Sequence, residues 1–95
     1  MYFMGDWDFL HFKPSPMPEK KYAAVLQERF GDHRIVEIDF GRPGYWHFKD
    51  STGLNLYSKL DHMDLDRRQR FKERFSHYII PNIYTAAYFS FNYLW

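Results

Sequence analysis

The chain has 95 residues, 45% of them apolar and 26% charged, with a formal net charge of +1 and no cysteine. Its outlying property is 22% aromatic content, made up of ten Phe, eight Tyr and three Trp. These values exclude intrinsic disorder, which needs few aromatics and a high net charge, and they exclude a disulfide scaffold or a collagen-like chain. A chain of this length buries roughly 60–65% of its unfolded surface. Each ring carries about 150–250 Å², so the composition predicts that several aromatics lie at the surface or under a partner.

The N-terminal residues Met1–Asp8 have no basic region and no apolar run of secretory type. Together with the lack of cysteine this predicts a reducing, intracellular or organellar compartment. Residues 1–17 read as an extended arm, because Pro14, Pro16 and Pro18 push each preceding residue out of the helical region. The arm carries Trp7, Phe9 and Phe12.

Residues 18–79 read as a core domain in the order helix, three-stranded antiparallel meander, helix, an α+β arrangement. Pro18-Glu19 suits a first helical turn, and Tyr22, Val25, Leu26 and Phe30 share a helical face that Gly31 would close. Val36, Ile38 and Phe40 alternate with Glu37 and Asp39, the pattern of a strand. Further strands are predicted over residues 45–49 and 54–57, separated by Gly41-Arg42-Pro43-Gly44 and Asp50-Ser51-Thr52-Gly53. A second helix follows, with Asp61 or Asp64 as its cap and Pro81 beyond its end.

Residues 80–95 form a separate contact segment. From Tyr78 to Trp95 no side chain is charged. Pro81, the two Asn and four Tyr make a membrane span a poor fit and favour a membrane interface or a groove on another protein. Ala86-Ala87 favour a helix here, and Asn82 could cap it. If this segment only makes contacts, its deletion leaves the core folded.

Signals for chemistry are few. Asp61-His62-Met63-Asp64-Leu65-Asp66 lacks the glycine and distal glutamate of a calcium loop and any zinc spacing, so capping accounts for its acids. Gly41-Arg42-Pro43-Gly44 lacks the spacing of a phosphate loop, and no serine sits in a nucleophile motif. The reading is therefore of no enzyme, with no catalytic residue, metal site or cofactor.

Fourteen of the 21 rings fall in the first 12 and the last 25 residues. This predicts an accessory subunit of a multi-protein assembly, binding other subunits through Trp7, Phe9, Phe12, Tyr88, Phe91, Tyr93 and Trp95. In style it suits the periphery of a membrane complex, such as one at the mitochondrial inner membrane. There Arg67, Arg70 and Arg74 could also meet anionic lipid headgroups. The alternative is a nucleic-acid-binding or inhibitor-type module acting through the basic helix over 64–77. Helix–three strands–helix is the element order of double-stranded-RNA-binding domains, but the acids Asp64 and Asp66 stand at the helix start.

Overall fold

The computed structural model describes residues 1–95. It is an α+β fold: a three-stranded antiparallel meander followed by two helices. The strands are β1 (Trp7–Pro14), β2 (Tyr22–Glu28) and β3 (Ile35–Phe40), in spatial order β1-β2-β3. The helices are α1 (Leu65–Phe75) and α2 (Ala86–Tyr93), with single 3₁₀ turns at Ser58–Leu60 and Ser76–Tyr78.

The class and the meander match the sequence reading, but the elements sit elsewhere along the chain. The helix expected over 19–30 is strand β2. Tyr22-Ala23-Ala24-Val25-Leu26 is buried at every position, whereas an amphipathic helix would bury one stripe. A short, continuous apolar run fits a central strand equally well, and its helical spacing is accidental. Pro18 lies in the connection between strands, and Gly31, at φ +79°, lies in the β2–β3 connection.

The N-terminal arm is extended, as expected, but it is not detached from the core. Its residues 7–14 form edge strand β1, with Phe9 paired to Leu26 and Phe12 to Ala24. The register shifts between Phe9 and His11, so Leu10 is extruded and exposed.

The strands expected over 45–49 and 54–57 do not form. Residues 41–64 instead make a long wrap whose only ladder contact is an isolated bridge between His47 and Asp61. Its backbone is tied to the chain's end: Phe48 and Lys49 donate to the Leu94 carbonyl, at 2.9 and 3.2 Å, and Ser51 donates to that of Tyr93 at 2.8 Å.

The second helix is where the sequence puts it. The Asp64 carboxylate caps it, accepting from the amides of Asp66 and Arg67 at 3.0 and 3.1 Å. The C-terminal segment is helical too, although Thr85 rather than Asn82 is its cap, accepting from the Tyr88 amide at 3.0 Å. Asn82 has φ +62° and precedes the helix.

Helix α2 lies over the sheet face that presents Tyr22, Ala24, Leu26 and Phe40. Trp7, Phe89 and Leu94 complete that core. Phe89 is fully buried and stacks on Tyr84, while Phe12 meets Phe9 and Tyr93 at centroid distances of 4.8 and 4.7 Å. The two chain ends also join. Met4 donates to the Asn82 carbonyl at 2.8 Å and Tyr84 to that of Tyr2 at 2.9 Å. On the opposite face no helix covers Ala23 and Val25. Lys13–Glu37 (2.5 Å) instead spans β2 from one edge strand to the other, and Ser15, just beyond β1, donates to Asp39 at 2.6 Å.

Candidate functional site

Lys21, at the entry to β2, is a charged side chain only 2% exposed. Its ammonium donates to the Tyr45 carbonyl at 2.8 Å and to His47 Nδ1 at 2.6 Å. An ammonium has no acceptor capacity, so Nδ1 carries the lone pair and Nε2 the proton. Nε2 then donates to Asp61 Oδ1 at 2.5 Å, and the same oxygen accepts from the Asp50 amide at 2.8 Å. Asp50 is itself buried. It accepts from the Thr52 hydroxyl at 2.6 Å and amide at 3.1 Å, and from the Tyr22 hydroxyl. The Tyr22 oxygen in turn accepts from the Leu56 amide at 3.0 Å.

Burial pushes the Lys21 ammonium down to about 8, against the opposing pull of Asp50 and Asp61. Burial also lowers His47, and the neighbouring Lys21 charge adds to the effect. Burial pushes Asp50 up, but hydrogen bonds from Thr52 and Tyr22 outweigh it and hold the carboxyl below its ordinary value. Tyr22 is raised to about 12 by burial and by its bond to Asp50. The arrangement packs tightly around Gly41, at φ +78°, where a Cβ would stand 3.0 Å from Leu94 and 3.2 Å from Lys21.

Chemically, this is a closed network. The Lys21 ammonium is committed to a carbonyl and an imidazole, and both Asp50 and Asp61 are supplied with donors. Such networks fix one arrangement of the backbone around them. Here the network clamps the start of β2 to the wrap between Gly41 and Asp61. None of its ionisable members is a candidate site residue in the sequence reading. The partners lie 26 and 14 residues apart, so no local spacing signals them.

Beside Lys21 opens a cleft of about 300 Å³, lined among others by Lys20, Arg42, Trp46, Phe71 and Trp95. Phe71 and Trp95 stack almost parallel, 4.1 Å apart and inclined by 4°. They also border a second hollow of about 220 Å³, whose other walls are Arg67, Arg70 and Arg74.

Helix α1 is held to the chain's end through its other face. Arg68 donates to the Trp95 carbonyl at 2.7 Å and lies 4.6 Å from the Phe48 ring centre, while Lys72 stands 4.5 Å over Phe91. Burial lowers the Lys72 ammonium, and Arg68 lowers it further.

The aromatic residues singled out from sequence are mostly turned inward. Trp7 is in the core, and Phe9, Phe12, Tyr88, Tyr93 and Trp95 pack half-buried against it. Phe91 is half-buried between Phe71 and Lys72. The structure brings Arg67, Arg70 and Arg74 together on one exposed face, with no carboxylate in ion-pair contact.

No group of three His, Cys, Asp or Glu side chains is placed to hold a metal ion, and no helix is long and apolar enough to cross a membrane. No protein-family model, curated protein or solved structure matches the chain.

Proposed function

We propose that this chain is a non-enzymatic accessory subunit of a multi-protein assembly. The observation that carries the reading is an unfilled apolar groove of about 290 Å³, where the two chain ends meet β3. Ile38, Ile80, Ile83 and Tyr84 line it together with Met1 and Tyr2, and no charged side chain contributes. Phe3, Phe30 and Ile80 are exposed, and Phe30 with Met1 and Tyr2 lines a neighbouring hollow. Clustered apolar exposure of this kind is the mark of a protein–protein contact.

The reading keeps the terminal segments as contact elements but changes the residues that touch. The rings that pack into the core stabilise the scaffold, and the partner meets the groove rim. The closed hydrogen bonding of Lys21, His47 and Asp61 supports a scaffolding role over a catalytic one. A place at an organellar membrane, such as the mitochondrial inner membrane, is a proposal for the assembly and rests on the part of the uncharged C-terminal stretch that stays exposed, Tyr78 and Ile80.

The test replaces Phe30 and Ile80 by Asp together and follows mass by light scattering after gentle extraction from the native source. Both side chains are exposed, so the fold, read by circular dichroism, should be unchanged. The intact chain is expected in a larger particle and the double variant at the 11.7 kDa of one chain. A free intact chain in the native extract, or a variant that stays in the particle, would contradict the proposal.

A further inference from the structure

We propose that the basic hollow on α1 and the adjoining cleft form one binding surface for a single-stranded nucleic acid. The proposal does not rest on the apolar groove, which meets the cleft only at Ala86 and shares no residue with the basic hollow.

Charge is the first observation. Helix α1 holds five cations against Asp66 and Glu73, a net +3, whereas the whole chain carries +1. The positive charge of the molecule is therefore concentrated on this helix, and the remainder is slightly acidic. Within the helix the cations divide by face. Arg68 and Lys72 are spent on the chain's end, while Arg67, Arg70 and Arg74 point into the hollow. Residues three, four and seven apart share a helix face, so these guanidinium groups form a row about 10 Å long. Of the nearby carboxylates, Glu73 accepts from Gln69 at 3.0 Å and Asp64 is occupied as the helix cap.

The second observation is the aromatic wall. The stacked Phe71–Trp95 pair belongs to both hollows, so the arginine row continues past it to Lys20, Arg42 and Trp46. Trp46 is 53% exposed although it borders the cleft, leaving ring surface on which a base can stack. Phosphate-binding guanidinium groups interleaved with free rings are what an unpaired strand requires. A duplex offers no unstacked base to Trp46. A lipid surface is flat, whereas these cations line concave hollows.

Fluorescence anisotropy of a labelled oligothymidylate tests the proposal on the full chain. A duplex of equal length, phosphatidylserine vesicles and inorganic phosphate serve as competitors. The strand should bind, and binding should weaken steeply with salt. Replacing Arg67, Arg70 and Arg74 by Gln together should remove most of the affinity. It should also flatten the slope of log K against log salt by about 2, since each phosphate contact to a single strand contributes about 0.7. Trp46→Ala should weaken binding about tenfold or more and leave that slope unchanged. The Phe30 and Ile80 double replacement should leave strand binding intact, which separates this site from the apolar groove.

The proposal is overturned by any of three results: no binding at low salt, full affinity in the triple Gln variant, or stronger competition by duplex or vesicles than by unlabelled strand. Each variant changes an exposed side chain, and an unchanged circular dichroism spectrum verifies that the fold is kept.

Discussion

Lys21 is a buried ammonium held by the Tyr45 carbonyl and the His47 ring. Removing one partner from a buried ionic network leaves the others desolvated and unpaired, which costs about 3–5 kcal/mol. Lys21→Met is therefore expected to destabilise the fold by that order in urea unfolding at neutral pH. The pH dependence has a definite sign. With Lys21 at about 8 when folded and 10.5 when unfolded, the unfolded chain binds the extra proton between those values. Stability from this group accordingly rises as pH climbs above 8. Tyr22, raised from 10.0 to about 12, acts oppositely and removes stability above pH 10. On the acid side, the lowered His47 means that the folded state resists its protonation, so stability falls as pH drops below 6.5. Urea midpoints across pH should show a rise between 8 and 10 that is absent in Lys21→Met. An equal alkaline rise in the variant would assign it to another group.

At the scale of elements, what could be read from sequence depended on whether the signal was local. The Asp64 cap and the acidic first turn of α1 are local, and that helix is where the pattern puts it. Alternation in β3 is local too. The helix in the last residues was legible from Ala86-Ala87, although its cap was not. Strand β2 was not legible, because Tyr22–Leu26 is buried on both faces and such a run has no strand period. The wrap from 41 to 64 was misread because Trp46 and Phe48 alternate like a strand, while the backbone amides of Phe48, Lys49 and Ser51 bond to residues 93 and 94. The same non-local packing overturns the expectation that residues 82–95 are dispensable. Phe89 and Leu94 are core residues, so a chain ending at residue 81 is expected not to fold. The milder substitution Phe89→Ala should cost about 3–5 kcal/mol in chemical unfolding. Asp64→Ala, by contrast, should cost about 1 kcal/mol, seen as fraying of α1 with the sheet intact. A larger global loss from Asp64→Ala than from Phe89→Ala would reverse this ranking.

For the whole molecule, the aromatic excess is resolved by joining the ends. Rings from the first 12 residues and from α2 pack on one another over the sheet, so they are hidden in pairs. The accessible surface of 6046 Å² is close to the ~5,900 Å² expected of a folded chain of this mass. Detached aromatic tails would have raised it. The molecule is nevertheless elongated, 43 × 27 × 20 Å, with a radius of gyration of 13.7 Å against about 12.4 Å for a compact chain of this length. Helix α1 has no buried residue and carries the positive charge on its surface. The apolar groove and the arginine row are thus separate surfaces on a body that both chain ends help to build. Amide hydrogen exchange on the isolated chain tests that claim most directly. Strand β2 and residues 89–94 should fall in one slowest-exchanging class, with α1 exchanging faster. Free exchange across residues 84–95 beside a protected β2 would show that the C-terminal segment is an appendage, and would contradict the account.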